Sequence, residues 1–348
     1  MTREFFEKKR KLPSLSFFLQ KNSSPQSPLK KKEKLFGSYI FEEEKISSPT
    51  SATSTDSGMD ALIVSMDGNK TFEIIDEESN EVQESRTNQR YFASSNAEMF
   101  YNGHAWHRDS LKTSIELSVC GGNIYALLMG RKQPLYDVGV GEDEVNPVYY
   151  RISSKVNFLA EGEAIFTLNK AVDGLIFSLI ISYFLGDYDI SNVVAVEDND
   201  GLTAVRIDPE YSFSNYCSSE LYNQHGRILS ELNFLLQHQA VHDPSDLRFD
   251  SGVEFFKECF THHLLKSKSF LQLFSSDKKV SEAFLALKTI AETPFEQFAD
   301  IIDKTISNQT IAEEVKKVLK SRQQLFSRCH DELKDHFESK LTQSQPGF

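Results

Sequence analysis

Three oxygen-bearing side chains sit in one stretch of the chain: Asp187, Asn192 and Asp208. Asp187 and Asn192 share a polar loop, Gly186 to Asn192, which follows an apolar run from Ala171 to Leu185. Two β-type runs come next, Val193 to Val196 and Leu202 to Ile207, separated by the polar turn Glu197 to Gly201. An Asp-Gly pair between apolar runs is a strong hairpin signal. A hairpin here folds the chain back and returns Asp208 to the neighbourhood of Asn192. An acid that orients a hydroxyl, with an amide and a second acid to hold Mg²⁺ against phosphates, is equipment for phosphoryl transfer. Mg²⁺ prefers hard oxygen ligands and takes few from protein, so one Asn and one Asp suffice.

The order apolar helix, Asp-x4-Asn loop, hairpin, Asp resembles the protein-kinase-like superfamily. The nearest branch is the phosphoinositide-kinase-like one, including divergent kinase-like effectors of intracellular bacteria. Gly186, Asp187 and Asn192 match a family loop of the form Gly-Asp-Arg-His-x-x-Asn, and Val205-Arg206-Ile207-Asp208 matches the approach to its metal motif. Tyr188 and Asp189 depart from the loop pattern, and Pro209-Glu210 replace the Phe-Gly that follows the metal-binding Asp. Asp189 is therefore an alternative catalytic acid, although its distance from Asn192 favours Asp187.

The resemblance implies an α+β, two-lobed protein-kinase-like fold, with a small antiparallel-sheet N-lobe and an extended, mostly helical C-lobe. It implies ATP and Mg²⁺ as cofactors, Asp187 as catalytic acid, and Asn192 and Asp208 as metal ligands. The acceptor would be a hydroxyl of a protein or a phosphoinositide. A pseudokinase acting as an interaction module and AMP transfer on the same scaffold are the alternatives.

The chain has 348 residues, enough for a two-lobed domain with an added module, and its 27 phenylalanines imply a sizeable core. A net charge of −13 argues against general nucleic-acid binding. The four cysteines, Cys120, Cys217, Cys259 and Cys329, lie far apart without a CxxC pair, which suits a reducing compartment and no zinc site. The most apolar run, Leu175 to Leu185, is too short to span a bilayer. Met1 to Lys11 lacks a signal-peptide pattern. A cytoplasmic protein is expected, in a host's cytosol if it is a secreted effector.

Residues 1–34 read as a basic flexible segment, able to touch an anionic membrane or to serve only as a solubilising tail. Residues 35–156 read as the N-lobe. Residues 157–348 read as the C-lobe, with a catalytic loop at 186–192 and a metal hairpin at 193–210. In the N-lobe, Leu35 to Phe41 reads as a strand and Ala61 to Ile75 as a hairpin turning at Asp67-Gly68. The Ser/Thr loop Ser47 to Gly58 takes the place of the phosphate-covering loop without its glycine spacing. Lys70 is the lysine available in the strand after the turn and so the candidate to pair with ATP; Glu98, within the capping box Ser95 to Glu98, is its candidate partner.

Asp76 to Arg90 reads as a loop, Trp106 to Val119 as a helix, and Asn123 to Met129, Pro134 to Val140 and Val148 to Val156 as strands. His107-Arg108-Asp109 looks like a kinase catalytic triplet, but Ser114 stands where Asn is needed. Phe158 to Leu185 has helical period, and Ser214 onward is mostly helical. Two basic clusters, one including Lys266, Lys268, Lys278 and Lys279 and one including Lys316, Lys317, Lys320 and Arg322, offer an inositol phosphate contact or simply a solvated helix surface.

Overall fold

The structure is a computed structural model and describes residues 62–76, 80–94, 111–130, 132–142, 147–161, 164–165, 168, 172–189, 192–199, 201–237, 253–259 and 277–343. The readings placed on 1–34, 35–41 and 47–58, on Glu98 and its capping box, on His107 and Asp109, and on Lys266 and Lys268 lie outside these residues. All described residues belong to one unit, Gly58–Phe348.

Alternating apolar and polar residues near the start of this unit make short half-buried strands. β1 (Leu62–Ser65) and β2 (Thr71–Asp76) flank the Asp67-Gly68 turn, where Asp67 accepts from Ser65 Oγ at 2.6 Å and from the Asn69 amide at 3.0 Å. β3 (Glu81–Glu84) and β4 (Arg90–Ser94) follow, then β5 (Tyr136–Gly141) and β6 (Tyr149–Ser154). β3 falls within a stretch expected to be loop; Val82, buried against the sheet, makes it a strand despite its polar neighbours. The order is β1-β2-β3-β4-β6-β5, and β1 pairs with β5 (Val64 opposite Val140), so the sheet closes into a barrel. A small antiparallel sheet typical of a kinase N-lobe was the expectation; the strands are antiparallel, but a closed barrel is not typical of that lobe. Closure leaves no unpaired strand edge, and Ile63, Phe72, Val82, Ala93 and Ile152 fill the interior.

Between β4 and β5 runs one long helix, α1 (Leu111–Met129). The strand expected over 123–129 does not occur, and Gly121 and Gly122 lie inside the helix. The two glycines instead let neighbouring groups approach closely. A Cβ on Gly121 would stand 2.4 Å from Ser212 Oγ, and one on Gly122 would stand 2.3 Å from the Tyr136 ring. Helix α1 is therefore pressed against both β5 and the segment that follows the hairpin.

The expected helix over 158–185 is shorter than its apolar period suggested. β7 (Ala160–Glu161) and β8 (Val172–Asp173) come first, and α2 spans only Leu175–Leu185. β7 and β8 flank the expected hairpin, β9 (Val193–Asp198) and β10 (Gly201–Arg206), in a sheet of order β7-β9-β10-β8. Cross-strand pairing of Ala160 with Ala195 and Leu202 with Val172 decides these residues' structure, and helical period does not reveal it.

The rest of the described chain is mainly helical: α3 (Asn215–Ser218), α4 (His225–Gln237), α5 (Phe255–Cys259), α6 (Asp277–Glu292), α7 (Phe295–Thr305) and α8 (Gln309–Gln343). Asn308 caps α8, accepting from the Thr310 and Ile311 amides. The chain is thus a mixed α+β protein. Among the described residues no helix is long and apolar enough to cross a membrane.

Helix α2 is the centre of the helical core, buried along almost its whole length. Tyr183 packs on Phe255, Phe256 and Phe326, and Phe184 packs on Phe298 and Phe326. Each such aromatic contributes about 1.5–3 kcal/mol by burial. Both ends of α2 are satisfied from far along the chain. Glu282 of α6 accepts from the Gly174 and Ile176 amides at its N-terminus, at 2.8 and 3.0 Å. Arg322 of α8 donates to the Tyr183 and Phe184 carbonyls at its C-terminus, at 2.5 and 2.8 Å. An acid at the first turn and a base at the last complement the helix dipole. Arg322 was expected within a basic surface cluster; it is fully buried here instead. Lys279, of the other cluster, is also buried, and burial pulls its ammonium down to about 8.

Candidate active site

The loop that leaves α2 is set by Gly186. It caps the helix in the left-handed conformation (φ 71°), and its amide reaches back to the Ser182 and Tyr183 carbonyls. Its own carbonyl accepts from Ser214 Oγ. Asp187 follows and turns inward. It has 0 % exposure, and Oδ1 lies 2.8 Å from Nη2 of Arg206, itself fully buried. The Tyr125 hydroxyl lies 3.2 Å from Oδ2 of Asp187, Ser212 Oγ lies 3.4 Å from it, and the Asp189 amide donates to Oδ1 at 3.3 Å. Burial raises the Asp187 carboxyl, with Arg206 opposing. Burial is the largest influence on Arg206 and disfavours its charge, but Asp187, Tyr125 and Asp189 together outweigh it and hold the guanidinium above its ordinary value. With a guanidinium at 2.8 Å and further donors around it, the ionised pair is the form this geometry supports.

Asp189 is only partly buried and accepts from Asn192 Nδ2 at 3.0 Å. The hairpin does what its sequence predicted. The pairing of β9 with β10 runs to Val193 opposite Arg206, and the Ile207 amide extends it to the Asn192 carbonyl at 2.9 Å. Asp208 therefore lands beside Asn192, whose Nδ2 reaches the Asp208 carbonyl at 3.2 Å. Asp208 holds a left-handed backbone (φ 46°) directly before Pro209, a residue that favours extended geometry at the preceding position. Non-glycine residues in this region concentrate at functional sites, where surrounding structure enforces them.

Two further charged residues join them, and the sequence reading assigned neither a role. Arg151 of β6 forms ion pairs with Asp208 and, at 3.0 Å, with Glu210. Glu210 is nearly buried; burial pushes its carboxyl up to about 8, with Arg151 pulling the other way. Asn192 Nδ2 also comes within 3.4 Å of Glu210 Oε1. With its amide nitrogen engaged by these acceptors, Asn192 leaves Oδ1 without a protein partner among the described residues. Asp208 likewise presents Oδ2. An amide oxygen and a carboxylate oxygen are the ligand types that a hard divalent cation takes. Among the described residues no group of three or more His, Cys, Asp or Glu is gathered for a metal.

Asp208 and Ile207 form one wall of a cavity of about 260 Å³. The barrel supplies the opposite side: Phe92, Ala93 and Ser94 of β4, Tyr136 of β5, and Arg151, Ser153 and Ser154 of β6. Val156 and Phe158, in the segment after β6, add apolar surface. Concave, largely apolar walls with a few convergent polar groups are the usual character of small-molecule sites. Lys70 is not part of this wall; its ammonium pairs with Asp137 at 3.0 Å. Glu98 lies outside the described residues.

A barrel packed over a helical core, with a polar-ended cavity against the barrel, defines a mixed α+β protein with a candidate ligand site. No family model matches the chain, and no curated protein matches it. Among solved structures it is similar to the proinflammatory kinase CtkA of Helicobacter pylori, at 12 % identity and a TM-score of 0.41, over 73 % of this chain and 92 % of that one. It is also similar to the N-terminal 618-residue fragment of LepB from Legionella pneumophila, at 15 % identity and a TM-score of 0.32. That likeness covers 69 % of this chain and 44 % of the fragment.

Proposed function

We propose that the protein is an ATP- and Mg²⁺-dependent phosphotransferase of two-lobed, kinase-like architecture. The observation that carries this reading is that Asp208, which lines a cavity against the barrel, lies beside Asn192. The order of elements supports it: a strand hairpin (β2, β3), a strand leading into a helix (β4, α1), two more strands (β5, β6), a linking segment, then a buried helix and the Asp-containing loop. On this reading residues 35–156 cover the nucleotide, 157–348 form the helical lobe, and the residues after β6 are the hinge.

Phe92, Ala93, Val156 and Phe158 would enclose a purine ring, and Asn192 and Asp208 would hold the metal. Bound there, Mg²⁺ would neutralise charge building on the phosphates during transfer. Asp189 is the better catalytic acid. It is partly exposed, it touches Asn192, and it can take a hydroxyl's proton, whereas Asp187 has no solvent-facing edge. Asp187 then acts as a positioning group that holds the loop through Arg206. The acceptor is a hydroxyl of a protein or an inositol lipid.

A second reading, a pseudokinase that binds partners without transferring phosphate, draws on the Arg151–Asp208 pair, which engages a metal ligand. Labelled ATP separates the readings. Transfer or release of γ-label by the wild type, falling about 100-fold or more in Asp208→Ala, is the expected result. Equal signal in both proteins removes the assignment, and transfer of α-label instead points to AMP transfer.

A further inference from the structure

The charge inside the cleft supports one more step, which rests on the nucleotide reading above. Among the described residues that line the cavity, Arg151 alone is cationic. Kinases place the phosphate-pairing lysine on the strand that runs into the helix. Here that strand is β4, which carries no lysine, and its Arg90 pairs at the surface with Glu81. Lys70 is committed to Asp137, and Lys155 to Glu81. Arg151 enters from a different strand, β6, and is 3 % exposed. Its Nη1 donates to Ser118 Oγ of α1 at 3.1 Å and to Glu210 Oε2 at 3.0 Å, while Nη2 pairs with Asp208 Oδ1.

We propose that Arg151 is the phosphate-binding cation of this cleft, and that without nucleotide it occupies Asp208, so that metal and nucleotide load together. A divalent cation arriving alone at the half-exposed Asp208 meets the buried Arg151 guanidinium on the same carboxylate, and like charges at that range repel. A cation arriving with polyphosphate escapes the penalty. Phosphate oxygens take over Nη2 through a charge-assisted bond, while Nη1 stays anchored on Glu210 and Ser118. The planar, two-ended guanidinium suits this division; a lysine ammonium is a single point charge. Arg151 thus opposes bare metal and favours nucleotide.

The test is a pair of binding measurements on the full chain: Mn²⁺ without nucleotide, followed by electron paramagnetic resonance, and ATP in excess EDTA, followed by calorimetry. In Arg151→Gln, Mn²⁺ affinity is expected to rise. ATP affinity is expected to fall about tenfold or more, the worth of one charge-assisted hydrogen bond. A residue that only supports the fold would weaken both. ATP affinity unchanged, or Mn²⁺ affinity falling alongside it, overturns the proposal. Should Arg151→Gln lose its circular dichroism signature, Arg151→Lys, which keeps the charge without the fork, takes its place. It is expected to move both affinities in the same opposed directions by smaller factors, and unchanged ATP affinity overturns the proposal there too. A wild type that binds no ATP defeats the nucleotide reading itself, while wild-type binding with an indifferent variant defeats only this step.

Discussion

Asp187→Ala is expected to lose about 3–5 kcal/mol of folding stability, the cost of removing one partner from a buried ion pair. Arg206 would be left fully buried, with its Nε and Nη1 already lacking hydrogen-bond partners. Tyr125 would also lose an acceptor, although Ser182 Oγ at 2.8 Å offers it another. Against a typical total of about 5–15 kcal/mol, that loss is large enough to leave a fraction of the chain unfolded at ordinary temperature. Urea denaturation monitored by fluorescence measures it. The neighbouring Asp189→Ala should behave in the opposite way, with stability changed by less than about 1 kcal/mol and phosphoryl transfer lowered about 100-fold or more. If Asp187→Ala is as stable as wild type and merely inactive, the division of roles between the two acids is wrong.

Gly186→Ala carries the second largest effect. An alanine there is forced into the left-handed region, which costs about 1–2 kcal/mol by itself. Its Cβ would also stand 2.6 Å from the Cys217 amide nitrogen and 2.8 Å from the Cys217 Cβ, so backbone must move rather than a flexible side-chain tip. Overpacking of this kind adds about 1–3 kcal/mol. The same displacement passes to Asp187 and Asp189, so nucleotide binding should weaken along with the denaturation midpoint. Gly201→Ala is the control: its φ of 124° is also unfavourable for alanine, but nothing lies within 4 Å of its added Cβ. A Gly186→Ala protein no less stable than Gly201→Ala would show that the loop is looser than its contacts indicate.

The hairpin and the return of Asp208 to Asn192 were legible because both depend on local signals. The Asp-Gly signal in the sequence marks the turn and the apolar runs mark the strands, and β9 pairs with β10 from Asp198 opposite Gly201 to Val193 opposite Arg206. The burial of α2 was legible from its composition, but its start was not. Residues 160–173 take their structure from pairing with β9 and β10, which no periodicity in their own sequence records. Gly121-Gly122 looked like a break because glycine commonly marks one; inside α1 the pair serves close packing against Ser212 and Tyr136.

Site charges were the hardest to read. Arg151 stands in β6 and Arg206 ends β10, and the acids they pair with belong to other segments of the chain. One signal was available: both arginines lie next to apolar residues, Arg151 between Tyr150 and Ile152 and Arg206 between Val205 and Ile207, which points toward a buried partner. The clamps on α2 gave no such hint. Glu282 and Arg322 belong to helices whose surfaces read as ordinarily charged, and only the packing of α6 and α8 turns these two inward.

The central claim is that Asn192 and Asp208 hold a divalent cation that helps to bind a nucleotide in the cavity beside them. Calorimetric titration of ATP into wild type and Asp208→Ala, each with Mg²⁺ and with EDTA, tests it most directly. The account predicts saturable binding to wild type that is about tenfold or more tighter with Mg²⁺, and binding to Asp208→Ala that is indifferent to the metal. No binding to the wild type, or the same Mg²⁺ dependence in both proteins, would contradict it.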